Sequence, residues 1–285
     1  MERNPPGKTP HRSQVAASRD GIPIAYETHG TGTPALFFIH GWSCDRTYWD
    51  TQVESFSSKH QVVTIDLAGH GESGLGRAEW TIASFGEDVA AVAGKLGLEN
   101  VILIGHSMGG DVILEAARRL PGKIRGLVWV DSYRMLPTHP SPEEIEKRMA
   151  PFRDDFVSTT RAFVRRMFHA NTDPSLVERV VSDMSSAPTD VAISAVAIAW
   201  NYAREVDALL KELGLPLVAI NPEEPPTDIA SMNRCGVEVV LMPGVNHFPM
   251  MEDPTTFNER LAEVIQRFAN PGVFPVEARP NIPEE

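Results

Sequence analysis

Short apolar runs recur along the chain and alternate with amphipathic stretches. ALFFI (35–39), VVTID (62–66), VILIG (101–105), GLVWVD (126–131), PLVAI (216–220) and VEVVLM (237–242) are mostly apolar rather than alternating. That is the pattern of strands buried on both faces. Helical periodicity marks residues 81–96, 108–119 and 255–269. Upstream, QVAAS and IPIAYE flank Arg19-Asp20-Gly21, and Asp-Gly between two strand-like runs predicts a hairpin. Strands alternating with helices imply right-handed crossovers, hence an α/β protein with a mostly parallel sheet and helices on both faces.

The alternation breaks once. Residues 133–205 contain only helical periods: PEEIEKRMAPF, FVSTTRAFVRRMF, PSLVERVVSDM and DVAISAVAIAWNYA. So long an insertion must bury its apolar faces, and the available surface is the C-terminal edge of the sheet, where ligands of open α/β folds bind. The expected organisation is a core at 13–132 and 206–269, an inserted helical cap at 133–205, and polar, Pro-rich tails at 1–12 and 270–285.

Composition narrows the function. At 285 residues and 42% hydrophobic, the chain can bury a large core. A formal net charge of −12 opposes nucleic acid as a partner. No apolar run is long enough for a membrane span, and the N-terminus lacks the apolar stretch of a signal peptide. Cys44 and Cys235 follow no metal-ligand spacing and read as free thiols, which favours a reducing, cytoplasmic location. No P-loop, dinucleotide fingerprint or metal motif is present, so no cofactor and no metal is expected. A monomer and a homodimer are equally compatible with these features.

The most informative stretch is VILIGHSMGGDVILEAARRL. A strand runs into Gly105-His106-Ser107-Met108-Gly109 and straight out into a helix, the setting in which G-x-S-x-G exposes a serine on a strained turn. Gly105 and Gly109 are required where strand and helix approach closely. HGW at 40–42, DLAGHGES at 66–73, GHSMGG at 105–110 and GVNHFPMMEDP at 244–254 follow in order. Together they resemble the α/β-hydrolase superfamily over about residues 20–270. The resemblance implies an eight-stranded, mostly parallel sheet, a helical cap, and a serine nucleophile at Ser107.

It also implies the partners of that serine. Acyl transfer needs two donors for the developing oxyanion. In this superfamily they are backbone N–H groups, here of Met108 and of Trp42. His247, in the loop after the last strand, is the expected general base. His40 is expected to brace its loop, His106 and His70 to be structural, and the remaining histidines (His11, His29, His60, His139, His169) to lie in tails, surface loops or the cap. Two positions can supply the acid. One is Glu223 or Glu224 after PLVAI, where many relatives carry Gly-x-x-Asp and this chain does not. The other is Asp131, 24 residues after Ser107, where one branch of the haloalkane dehalogenases places its acid. The Asn-led, Pro-containing loop beginning at Asn221 is similar to that branch and favours Asp131.

A serine cannot form the alkyl-ester intermediate of dehalogenases and epoxide hydrolases. Carbonyl substrates remain: a carboxylic-ester hydrolase acting on a small molecule through an acyl-enzyme, or a lactonase with the same residues. A slow-turnover ligand receptor of the same fold is the alternative from another class. Trp42, Met135, Phe168, Trp200 and Met250 are candidate pocket residues. Of the cap's apolar set (Met135, Met149, Phe152, Phe156, Phe163, Met167, Phe168, Met184, Trp200 and Tyr202), fewer than half are expected to touch substrate. Arg161, Arg165, Arg166, Glu143, Glu144 and Glu146 read as solvated helix faces.

Overall fold

The computed structural model describes residues 13–269. The two tails expected at the ends lie outside the described residues. The chain opens with the hairpin β1 (Gln14–Ala17) and β2 (Pro23–His29), turning through Gly21 at φ +82°. β3 (Ala35–Ile39) follows, then a 3-10 turn at Arg46–Trp49, α1 (Asp50–Phe56) and β4 (Val62–Ile65). α2 (Ile82–Lys95), β5 (Val101–His106), α3 (Met108–Arg119) and β6 (Ile124–Val130) complete the first part. Five helices come next: α4 (Pro142–Asp154), α5 (Phe156–Arg165), α6 (Pro174–Ser185), α7 (Thr189–Tyr202) and α8 (Val206–Leu213). β7 (Leu217–Pro222), α9 (Ile229–Arg234), β8 (Val237–Met242), α10 (Pro249–Glu252) and α11 (Pro254–Ala269) close the chain.

The eight strands form one sheet in the order β1-β2-β4-β3-β5-β6-β7-β8. β2 pairs antiparallel with β1 and with β4, and every other pairing is parallel. β3, β4 and β5 are buried along their whole length, which explains why their sequences are mostly apolar. Two boundaries differ from expectation. β7 runs on through Asn221 and Pro222, which pair with Leu241 and Met242, so the loop after it starts at Glu223. The helical insertion also continues past 205 into α8, which a left-handed Gly214 terminates.

Polar links fasten the inserted helices to the sheet's loops. The Tyr48 hydroxyl donates to Asp183 of α6 (2.6 Å), the Trp42 indole N–H to the Ala192 carbonyl of α7 (2.7 Å), and the Tyr202 hydroxyl to Glu115 of α3 (2.8 Å). Among the described residues, no helix is long and apolar enough to cross a membrane.

Candidate active site

β5 ends at His106 and α3 begins at Met108, so Ser107 alone makes the turn. It does so at φ +52°, ψ −120°, a left-handed conformation that an L-residue adopts only when its surroundings enforce it. A serine before a helix ordinarily turns its hydroxyl back to cap the first N–H groups. Ser107 makes no such bond, which leaves Oγ available. A Cβ on Gly105 would collide with the Gly109 carbonyl, and one on Gly109 would lie 2.6 Å from the carbonyl oxygens of Ile39 and His40. Gly109 is thus constrained by the end of β3 as much as by β5.

The loop after β3 lies against this turn. A Cβ on Gly41 would stand 3.2 Å from Ser107 Cβ, so the backbone leading to Trp42 passes directly beside the serine. Met108 opens α3, and the first N–H groups of a helix have no intrahelical acceptor. His40 is buried and holds the loop: its Nδ1–H donates to the Gly41 carbonyl (2.8 Å) and its Nε2 accepts the Leu67 N–H (3.0 Å). Burial lowers its pKa to about 4. His70 is likewise buried, donates from Nδ1 to the Ala68 carbonyl, and is lowered to about 3, burial being the largest cause.

His247 follows β8, and its Nδ1 lies 2.7 Å from Asp131 Oδ2. Asp131 follows β6 at φ +46° and is buried. The Arg134 guanidinium donates to the same carboxylate oxygen at 2.9 Å. Glu223 and Glu224 are exposed on the loop after β7, and neither bonds to His247. His106 Nε2 lies 2.8 Å from the His247 carbonyl. A carbonyl only accepts, so His106 donates there and steadies the His247 backbone. Burial holds His106 well below the usual imidazole range.

Ser107 and His247 line one cavity of about 520 Å³, together with Trp42, Met108 and Trp200. Met135 stands at its mouth, 54% exposed. An adjoining cavity of about 630 Å³ shares His247 and adds Asp131, Arg134 and Arg166. Two expected pocket residues lie elsewhere. Phe168 stacks on Phe248 (centroids 5.0 Å apart), with its outer face toward a surface hollow beside His169. Met250 is fully buried, and its carbonyl accepts the Gln52 amide. Phe163 and Met167 line the cavity on the helical side instead. Met149, Phe152, Phe156, Met184 and Tyr202 are buried in the core. Glu144 and Arg166, expected on solvated faces, line the two cavities, and Glu144 also caps α4 through Ser141.

Several residues at the site escaped the sequence reading. Arg134 lies three residues beyond Asp131, a spacing that could have suggested the pair. Asn221, read in the sequence only as the head of a loop, donates to the Tyr133 carbonyl (2.8 Å) and the Thr227 hydroxyl (3.0 Å), tying the β7 loop to the segment that carries Asp131. Glu252 accepts from the N–H groups of Asn246 and Phe248 on one oxygen and from His169 N–H and the Thr172 hydroxyl on the other. It therefore joins the His247 loop to the α5–α6 connection, where the His247 N–H also donates to the Met167 carbonyl. Asp111, one turn beyond Ser107, lines the cavity and accepts the Tyr133 hydroxyl at 2.6 Å. Burial pushes its pKa up to about 8.

Known proteins agree with this architecture. A pimeloyl-[acyl-carrier protein] methyl ester esterase of Edwardsiella ictaluri is 25% identical over 254 residues, 84% of this chain and 96% of that one. Shorter matches are closer. The acetyltransferase component of an acetoin cleaving system from Cupriavidus necator is 33% identical over 114 residues, and the chain spans only 30% of its length. It likewise spans 41% of a relative from Azorhizobium caulinodans. A thermophilic esterase from Thermogutta terrifontis superposes with a TM-score of 0.78 at 24% identity, covering 90% of this chain and 99% of that one. Est816, described as an N-acyl homoserine lactone degrading enzyme, superposes with a TM-score of 0.75 at 24% identity, covering 88% and 99%. At those identities the likeness to the solved structures is one of fold. The model of the alpha/beta hydrolase family matches residues 36–260, and the chain belongs to that family.

Proposed function

We propose that the protein is a serine hydrolase of carboxylic esters that works through an acyl-enzyme. The observation that carries this reading is the 2.7 Å contact between His247 Nδ1 and Asp131 Oδ2, made where His247 and Ser107 line one cavity. Asp131 keeps the Nδ1 proton in place, leaving Nε2 to take the proton of Ser107 Oγ as that oxygen attacks the ester carbonyl. The N–H groups of Trp42 and Met108 receive the oxyanion. Collapse of the tetrahedral adduct expels the alcohol, which takes the proton from His247. Water then repeats the sequence on the acyl-enzyme and regenerates Ser107. The five inserted helices act as a cap whose apolar wall receives the substrate's hydrocarbon. A lactone fits the same chemistry, its leaving alcohol staying tethered to the acyl group.

Steady-state hydrolysis of a short-chain p-nitrophenyl ester tests this. Multiple turnover by the wild type that disappears in Ser107→Ala supports the reading. A single slow turnover would point to a ligand receptor, and activity unchanged in Ser107→Ala would remove Ser107 from the mechanism.

A further inference from the structure

Acyl transfer as described makes no use of Asp111. The residue sits in the first turn of α3, just past the turn that carries Ser107, and the two open on one cavity. Asp111 is only 4% exposed, yet it lines the cavity shared by Ser107 and His247. Among the described residues no cation pairs with it. One carboxyl oxygen accepts the Tyr133 hydroxyl, and the other has no hydrogen-bond partner among the described residues.

The surroundings decide its protonation. Tyr133 and Tyr202 face it as hydroxyls, and Glu115, one turn along α3, is already met by Arg118, Arg119 and Tyr202. Elsewhere on the cavity wall stand His139, Glu144, Arg148 and His247, none of them paired with Asp111. The α3 dipole favours an anion here, but its effect is smaller than the loss of hydration. Burial therefore keeps the carboxyl protonated at neutral pH, with its pKa near 8. Since Tyr133 donates to Oδ1, the proton resides on Oδ2, the oxygen without a partner. An O–H that opens on the cavity lined by Ser107 is then left to find its acceptor in the substrate.

We propose that Asp111 is a hydrogen-bond donor of the acyl subsite, selecting esters or lactones that carry an ether, keto or amide oxygen a few bonds from the reacting carbonyl. This rests on Ser107 acting as the ester-cleaving nucleophile. The probes are p-nitrophenyl 3-methoxypropanoate and p-nitrophenyl pentanoate, equal in chain length and differing by one oxygen for one methylene. The readout is the ratio of their kcat/KM values, in which intrinsic reactivity and any general loss of activity cancel between variants. Asp111→Leu should lower the ratio about tenfold, while Asp111→Asn, which keeps a donor, should stay within about threefold of wild type. In the wild type the ratio should fall as pH rises through about 8, where the donor ionises. A ratio unmoved both by the leucine and by pH would overturn the proposal and leave Asp111 as a brace for Tyr133. If Asp111→Leu does not fold, the wild-type pH series decides alone. Failure of the wild type to cleave even the pentanoate would instead sink the ester-hydrolase reading. The donor is then judged by infrared difference spectra between about pH 6.5 and about pH 9.5. A protonated-carboxyl band lost on raising the pH and missing in Asp111→Asn supports it, and the absence of such a band overturns it.

Discussion

Asp131 concentrates two demands on one oxygen. His247 and Arg134 both donate to Oδ2, while Oδ1 is buried without a hydrogen bond among the described residues. Converting the carboxylate to an amide would remove the charge that both donors meet and permit the wrong imidazole tautomer. Asp131→Asn should therefore lower kcat by roughly 10³–10⁴. Glu223→Gln and Glu224→Gln should each stay within about tenfold of wild type, because both side chains are exposed away from His247. A large loss at either glutamate with little at Asp131 would move the acid to the β7 loop. A second residue-scale consequence concerns acid stability. His40 and His70 are held neutral by burial, with pKa values near 4 and 3 against an ordinary 6.5. Below about pH 6.5 the unfolded chain takes up protons at these sites that the folded chain refuses. Their contribution is complete above pH 6.5 and drains away as pH falls toward 4 and 3. His70→Asn keeps a donor for the Ala68 carbonyl and removes the titration. Its Tm should fall less steeply than that of wild type between about pH 7 and about pH 4; parallel curves would remove His70 from the acid transition.

At the scale of elements, the His247 loop and the α5–α6 connection share one fastening. Glu252 accepts four hydrogen bonds, one from each side of His247 and two from the inserted segment. Glu252→Gln has one acceptor oxygen for two pairs of donors, so one pair must face an amide NH₂. We expect about 1–3 kcal/mol of stability to be lost and kcat to fall about tenfold as His247 loses its fixed position. Thr172→Val, which disturbs only the inserted side, should do less. Equal kcat values for Glu252→Gln and wild type would show that the loop is held by other contacts.

The contrast in legibility belongs at this scale. β3 and β8 match their apolar runs residue for residue; β3 does so because a strand buried on both faces can tolerate few polar interruptions, whereas β8, at the sheet's edge, is half-buried and carries Glu238. The Ser107 turn was legible because glycine is required where backbones touch. The pocket was not. Apolar character says that Phe168 and Met250 are buried, but not against which neighbour, and both went into packing rather than the cavity wall. Asp111 was invisible for a related reason: an acid in the first turn of a helix ordinarily complements the dipole at the surface, and only the tertiary fold shows this one to be dry.

For the whole molecule, the inserted helices are unevenly attached. α6 and α7 are tied to the core through Tyr48–Asp183, Trp42–Ala192 and Tyr202–Glu115, and the α5–α6 connection through Glu252. The segment from Met135 to α4 carries the exposed Met135 at the cavity mouth, and Arg204 holds the Pro140 carbonyl. Substrate is therefore expected to pass beside α4. Amide hydrogen exchange should be faster in residues 134–154 than in α6 and α7, and a bound substrate analogue should slow it there first. Equal protection across the five helices would place the access route elsewhere.

The Glu252 fastening also bears on how such enzymes can be recombined. The helices between β6 and β7 look like an interchangeable cassette, bounded by two strands and separable at the level of sequence. Yet the side chain that anchors them beside the histidine comes from α10, more than a hundred residues past the point where the insertion begins. A chimera that transplants only the helices from another family member would arrive without its fastener and leave the host's glutamate with half its donors. Swapping specificity between family members therefore calls for exchanging the segment around His247 along with the helices, as one inherited unit.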